Sequence, residues 1–375
     1  MKHKHLTRVP VAVCALVVSL AQSALADDAA SDSDAAKELI EGKYLKNVRQ
    51  ITFDFAKAGE GYFSPDGRSI IFQAVPREYM FYQIYTMELP GVTQPPSGQQ
   101  PTASSQPKLV STGRGRTTCS FFAPDGKSII FASSHLDPNL SETEAAQRRQ
   151  DEADAKSGTK RRYQWDFDLA MEIFAADLDG RKLRRLTDSP GYDAEGAYTP
   201  DGKHIVFCST RGGNPNLYVM AADGSNVRQL TSEPGYNGGP FTSPDGRWVV
   251  YRSDRKKEGY LQLHVIGFDG KNDTALTDNV GVNWAPYWHP TKPYIIWTGA
   301  DHSNPHATPN YDLRLMRYAE RDGKIVPEKT WRITDHPAAD VLPVFSPDGT
   351  QLMWTSNRTA DHTSQLFLAD FALPE

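Results

Sequence analysis

The sequence predicts an all-β fold, a six-bladed β-propeller of four-stranded antiparallel blades, and three observations predict it. First, a twelve-residue unit centred on Pro-Asp-Gly recurs at 61–72, 120–131, 196–207, 240–251 and 343–354, with a degenerate copy at 286–297 filling the one gap. Second, each unit is followed by a further apolar run and a second turn, as in Leu217-Tyr-Val-Met and Asp223-Gly224, and then by a short segment such as 227–230. Third, the last unit stops after its third strand at 365–371, while Val48-Arg-Gln-Ile-Thr52 repeats the fourth-strand pattern Val227-Arg-Gln-Leu-Thr231.

Each element has a mechanical basis. Proline presets φ, aspartate bonds the local backbone and glycine tolerates positive φ, so Pro-Asp-Gly makes a tight turn between two short strands. Four short antiparallel strands in a repeat of 40 to 50 residues form one propeller blade, and a lone blade cannot bury both its faces, so the units must stack around an axis. Residues 48–52 are then expected to complete the sixth blade, joining the two chain ends and leaving no open edge.

The chain has 375 residues, 39% of them apolar and 23% charged, with 41 Lys and Arg against 46 Asp and Glu and a net charge of -5. No basic excess supports a nucleic-acid surface. With 28 Gly and 26 Pro the composition is rich in turns. Residues 1–26 read as a cleaved secretory signal: Lys2, Lys4 and Arg8 precede an apolar run at 11–20, and Ala24-Leu-Ala26 is a small-residue cleavage pattern. Losing those three positive charges takes the mature chain to -8. No stretch is long enough to span a membrane. The expected organisation is a signal peptide at 1–26, a linker at 27–47 and a propeller at 48–375, with an inserted loop at 136–166 in blade two. Only Cys119 and Cys208 remain after cleavage, each in an apolar strand-like run, which suits buried free thiols.

The Ser-Pro-Asp-Gly-x-x-Ile-x-Phe unit, the Leu-Tyr-Val-Met-x-x-Asp-Gly run and the Arg-Gln-Leu-Thr ending resemble the propeller repeats of the periplasmic TolB family over residues 48–371. The resemblance implies a six-bladed ring that binds partners in the cell envelope. TolB-family proteins carry an additional N-terminal α/β domain, whereas only residues 27–47 precede the first strand here. The expected function is a binding or scaffold module, periplasmic or secreted, for a protein or an envelope polymer, with a peptidoglycan-associated partner or a glycan as the candidate classes.

Strand order places both tight turns of a blade on one face and the second-to-third and inter-blade loops on the other, here called the top. Blade two carries its extra residues on the top, between Phe131 and Ile173; blade five adds a shorter top loop at 300–309; the extra residues of blade one, 90–107, fall on the opposite face. Within the blade-two insertion, 141–156 suits an exposed helix, and Tyr163, Trp165, Asp166 and Phe167 suit a lid packed on the ring or a hook for a partner. Glu60, Arg116, Asp193, Glu195, Asn237, Asn283 and Asp340 begin the innermost strands and are expected to ring the channel mouth, with Arg211 on the same face.

Asp301, His302 and His306 in blade five, with His135 in blade two, combine imidazole and carboxylate, the chemistry of a divalent metal or of acid–base catalysis. Pro305 and Pro309 argue against the helix that would align His302 with His306 as ligands. No cofactor is expected, and a divalent metal on His302, His306 and His135 is the exception to be tested. Propeller-containing serine peptidases need a Gly-x-Ser-x-Gly turn, and none occurs. Oligogalacturonate lyases share this type of repeat and hold a metal through histidines of an innermost strand, and the matching residues 341–344 contain none. The alternative to a binding module is therefore a carbohydrate-active or other metal-assisted enzyme using histidines and acids of the top face.

Overall fold

The computed structural model describes residues 40–89, 106–158, 167–304 and 306–375. Blade one comprises β2 (Lys57–Phe63), β3 (Ser69–Val75), β4 (Gln83–Glu88) and β5 (Lys108–Leu109), and blade two β6 (Thr117–Phe122), β7 (Ser128–Ser133), β8 (Glu172–Asp177) and β9 (Arg184–Arg185). Blade three follows as β10 (Asp193–Tyr198), β11 (His204–Ser209), β12 (Asn216–Ala221) and β13 (Arg228–Gln229), and blade four as β14 (Asn237–Thr242), β15 (Trp248–Ser253), β16 (Gln262–Gly267) and β17 (Thr274–Ala275). Blade five is β18 (Gly281–Trp288), β19 (Tyr294–Asp301), β20 (Asp312–Arg321) and β21 (Lys324–Arg332), and blade six is β22 (Asp340–Phe345), β23 (Gln351–Ser356), β24 (Gln365–Phe371) and β1 (Leu45–Gln50). Every pairing is antiparallel, and the first strand of each blade packs on those of its neighbours around the axis.

The closing strand is where the repeat places it. It begins at Leu45 and pairs Leu45 with Phe371 and Gln50 with Phe367. Thr52 follows it, donating its hydroxyl to Gln365 at 2.8 Å. Arg358 adds a side-chain clasp, with both terminal nitrogens 3.1 Å from Glu41 and one 2.7 Å from Asp340.

The apolar pair after each turn packs on both faces of its blade, because blades stack on either side. Ile70 and Ile71, Ile129 and Ile130, and Leu352 and Met353 are all fully buried. In the turns, Asp66, Asp201, Asp245 and Asp348 each accept a backbone N–H two residues on and the hydroxyl of the Ser or Thr two residues before. Blade five lacks that aspartate. There His289, at the Ser/Thr position before the proline, accepts the N–H groups of Thr291 and Lys292 through Nδ1, each at 3.2 Å, so an imidazole tethers the turn by a different pair of amides. Burial and Lys292 hold its pKa down at about 4, which keeps the accepting nitrogen unprotonated.

The blade-two insertion forms α1 (Leu140–Ser157), with only Leu140 buried. Glu144 docks it, bonding Arg114 at 2.7 Å and the Tyr79 hydroxyl at 2.6 Å. The blade-one residues 90–105 lie outside the described residues.

Candidate site at the channel mouth

Each innermost strand carries one extra residue relative to its partner, a β-bulge, seen as a register slip between Gly59 and Gly61, Thr118 and Phe121, Ala194 and Ala197, Gly238 and Phe241, Trp284 and Tyr287, and Val341 and Val344. One residue in each bulge adopts left-handed φ: Glu60 (45°), Cys119 (52°), Glu195 (58°), Gly239 (59°), Ala285 (50°) and Leu342 (57°). All six stand five residues before the turn proline of their blade. All six line one pocket of about 210 Å³.

The pocket has a floor. Two residues beyond four of the six bulge residues, Tyr62, Phe121, Phe241 and Tyr287 meet across the axis, with ring centroids 5.1 to 6.2 Å apart. This aromatic plug closes the channel and leaves a blind mouth. Trp284, Ala285, Val341 and Leu342 of blades five and six make one wall apolar, while Lys57, Glu60, Ser120, Glu195 and Arg252 make the other polar.

The two acids of the ring differ. Glu195 is 6% exposed and fully engaged: it accepts the hydroxyls of Tyr192 at 3.1 Å and Tyr236 at 2.8 Å, the N–H of Gly239, and Arg252 at 3.2 Å. Gly239 makes the last contact sterically available, since a Cβ there would occupy the place of the Arg252 guanidinium. Burial pulls the Arg252 pKa down, but Tyr236, Glu195, Cys119 and Glu60 raise it by more, so the guanidinium stays charged. Glu60 is only half-buried, and its carboxylate accepts the Tyr62 hydroxyl at 3.3 Å. Burial, helped by Glu195 and opposed by Arg252, Cys119 and Tyr62, raises its pKa to about 7. The Cys119 thiol is pushed well above its ordinary value by burial and by Glu60 and Glu195.

Of the residues lining this pocket, Ser120, Arg252 and Trp284 each bury one polar atom, Oγ, Nε and Nε1, away from its open space and without a hydrogen-bond partner among the described residues.

Asp193, Asn237, Asn283 and Asp340 stand two residues earlier in their strands, outside the pocket lining, and each tie together the strands of their own blade. Asp193 accepts Arg211 at 3.0 Å, Asp340 accepts Arg358 at 2.7 Å, Asn237 bonds Ser253 at 2.7 Å and Arg255 at 3.3 Å, and Asn283 accepts Trp297 Nε1 at 3.0 Å. Arg211, Arg255 and Arg358 recur eleven residues after the turn proline, each bonding the serine two residues before it and lying over an aromatic ring. His135 holds this same place in blade two, with Nδ1 3.0 Å from Ser133 Oγ and its ring 4.4 Å from Phe174. Its position is that of a blade staple. Arg116 packs 4.4 Å from the Phe81 ring and faces Asp168 at 3.6 Å.

The blade-five loop does not meet His135. Asp301 is exposed and accepts the Ser303 N–H, the His302 ring lies 5.9 Å from Tyr260, and His306 is exposed. Among the described residues, no group of three or more His, Cys, Asp and Glu is set to hold a metal ion. Tyr163, Trp165 and Asp166 lie outside the described residues. Phe167, directly after them, packs edge-on against Tyr192 and Tyr236 at 5.0 and 5.7 Å and lines the pocket. Cys119 and Cys208 are buried free thiols.

Of the mouth residues expected from the sequence, Glu60 and Glu195 line this pocket; Cys119, Arg252, Tyr236 and Trp284 line it too and were not expected there. The mouth residues fall in the column five before each proline, Glu, Cys, Glu, Gly, Ala and Leu, whose neighbouring columns vary as well, so the sequence alone does not single it out.

Residues 157–303 match the family model of the TolB beta propeller domain. The chain is 51% identical over 39 residues to the Tol-Pal system protein TolB of Bordetella pertussis, and equally to that of Bordetella parapertussis. That match takes in 10% of this chain and spans only 9% of the relative's length. Among solved structures, a putative TolB from Agrobacterium tumefaciens superposes with a TM-score of 0.53 at 20% identity, covering 84% of this chain and 91% of that one. TolB from Acinetobacter baumannii gives 0.52 at 18% identity, covering 85% and 65%. At these identities the likeness is one of fold.

Proposed function

Taking the ring as a propeller of TolB-type repeats, we propose that it is an exported module that binds a protein or an envelope polymer at its channel mouth. The observation that carries this reading is the blind, amphipathic pocket closed below by Tyr62, Phe121, Phe241 and Tyr287, with an apolar wall from blades five and six facing a polar one. A pocket on the axis, under the loops where propellers vary, is where a rigid scaffold presents recognition groups. The basic and apolar N-terminal segment ending near Ala26 supports export to the periplasm or beyond, and among the described residues no helix is long and apolar enough to cross a membrane. The Tol-Pal systems named for the matched relatives make an envelope protein the first partner class to test.

The test is a photo-reactive phenylalanine derivative placed at Tyr82, on the pocket wall, in cells. Cross-linked products are expected from Tyr82 and not from the same probe at Asp66, on the tight-turn face. Products from Asp66 alone, or from neither position, would refute mouth binding.

A catalytic reading would rest on the place of Glu60 in the pocket wall, where burial raises its pKa to about 7, within the range of a general acid or base near neutrality. On that reading the alternative of a glycan-acting enzyme centres on Glu60 rather than on His135, His302 and His306. Glu60→Gln would then abolish turnover while leaving ligand binding in place.

A further inference from the structure

The charged side chains that line the mouth pocket are Lys57, Glu60, Glu195 and Arg252, and they are not evenly matched. At the level of the bulges stand two carboxyls and one guanidinium. Arg252 is committed to Glu195 at 3.2 Å, and Glu195 also accepts Tyr192, Tyr236 and Gly239, so that pair is closed on itself. Glu60 is the acid in excess. The Tyr62 hydroxyl that it accepts lies 3.3 Å away, long for an O–H···O bond, and Glu60 keeps exposed surface in the pocket. Its pKa, raised by burial and only partly restored by Arg252, is that of a carboxyl without a matching cation.

Lys57 does not supply that cation. It stands three residues earlier in β2, nearer the rim, with its ammonium 4.8 Å from the centre of the Tyr82 ring. The charge that acts on it is Asp151 of α1, which opposes the lowering of its pKa by burial. An anion entering the mouth would thus find Lys57 already facing an acid, and two more acids below it. A cation that reaches the bulges meets one acid in excess. The opposite wall suits a stem for that cation, since Ala285, Val341 and Leu342 are aliphatic and Phe167 and Trp284 add aromatic surface, which attracts cations. At about 210 Å³ the space is below the ~300–1,000 Å³ of sites for drug-sized ligands, which suits a body of side-chain size.

We propose that the mouth pocket receives an alkylammonium group, one primary ammonium on an aliphatic stem, with the ammonium at Glu60 and the stem along the wall of blades five and six. This rests on the reading of the mouth as a binding site and names the chemistry of what enters. The same head and stem occur in a lysine side chain of a protein partner and in a free small amine, and the test separates the two.

The purified protein is titrated with n-pentylamine, 1-pentanol and pentanoate by calorimetry, in buffers of different ionisation enthalpy. Saturable binding of the amine is expected, with the alcohol weaker and pentanoate weakest. The ammonium favours ionised Glu60, so binding should release about half a proton per site at pH 7 and weaken about tenfold per pH unit below that. Glu60→Gln should weaken the amine about tenfold and abolish the proton release. Arg252, Glu195, Cys119 and Tyr62, the groups that face Glu60, are unchanged in that variant, so the lost proton belongs to Glu60. Lys57→Met should bind the amine at least as tightly as the parent does. Binding of Nα-acetyl-lysine amide alongside pentylamine would mark a partner's lysine, and its exclusion a free amine, and both support the assignment. No saturable response at millimolar amine, pentanoate binding as tightly as the amine, binding without proton release, parent-like affinity in Glu60→Gln, or loss of binding in Lys57→Met would overturn it. Persistence of the Tyr82 cross-links alongside any of these results would overturn the ammonium alone, whereas loss of both would overturn mouth binding as well.

Discussion

Glu60→Gln should make the protein more resistant to unfolding at alkaline pH and change it little at acid pH. Glu60 ordinarily titrates at 4.5, and in the folded ring burial raises this to about 7. A carboxyl whose folded value lies above its unfolded value binds more protons folded than unfolded, so stability falls as pH rises between the two values. At about 1.36 kcal/mol per pH unit, the interval from 4.5 to about 7 corresponds to a loss of about 3 kcal/mol, complete above pH 7 and absent below 4.5. Glutamine keeps the shape and cannot ionise. The difference in unfolding free energy between variant and parent should therefore shift by about 3 kcal/mol in the variant's favour from pH 4.5 to pH 8. Urea unfolding followed by tryptophan fluorescence at closely spaced pH values measures this. Asp312, also raised by burial, to about 6, is common to both proteins and cancels in the difference. A difference independent of pH would refute the account, because it would mean that Glu60 ionises as freely in the ring as in the unfolded chain.

Other perturbations test the ring and its mouth. Arg358→Ala leaves Asp340, which is fully buried, without its cation and undoes the link to Glu41, so it should cost about 3–5 kcal/mol in urea unfolding, whereas removal of the exposed Arg184 should cost under about 0.5. Gly239→Ala forces a Cβ into left-handed backbone and against the Arg252 guanidinium, and a loss of about 2–4 kcal/mol is expected, larger than for Gly246→Ala, where nothing lies within 4 Å. Cys119 and Cys208 should react with a thiol reagent at pH 8 only as fast as the ring opens, and promptly in denaturant; rapid labelling of the native protein would contradict their burial.

The propeller was legible because every blade must solve the same local problem. A tight turn needs Pro-Asp-Gly or an equivalent, and a strand buried on both faces needs an unbroken apolar pair, so those positions agree from blade to blade. The closing strand was legible for the same reason, since Val48-Arg-Gln-Ile-Thr52 carries the pattern of a fourth strand at the wrong end of the chain. Where a blade departs from the pattern, the departure is chemical substitution within the same geometry. His289 replaces the Ser or Thr before the turn proline and tethers the turn with its ring nitrogen, and His135 replaces the staple arginine. Both histidines therefore read in sequence as unusual polar groups, and both stand in positions defined by local structure.

The site was less legible because it is built from differences between copies. A bulge rotates one residue of each innermost strand toward the axis, and that rotation breaks the strict alternation by which inward and outward residues are assigned along a strand. Asp193, Asn237, Asn283 and Asp340 were expected at the mouth because they begin strands, yet the bulge two residues later decides which side chains line the pocket. Once the bulge is known, the six-residue set of Glu60, Cys119, Glu195, Gly239, Ala285 and Leu342 explains the pocket's asymmetry: three polar residues in consecutive blades face three small or apolar ones. The glycine is the least conspicuous member and has the widest effect. It leaves room for Arg252 from the next strand of its own blade to reach Glu195 of blade three, and that pairing leaves Glu60 as the acid of the ring still open to an occupant. A scaffold set by agreement among repeats and a mouth set by their disagreement can therefore change independently: the ring tolerates new side chains at the bulges as long as the turns and staples stay.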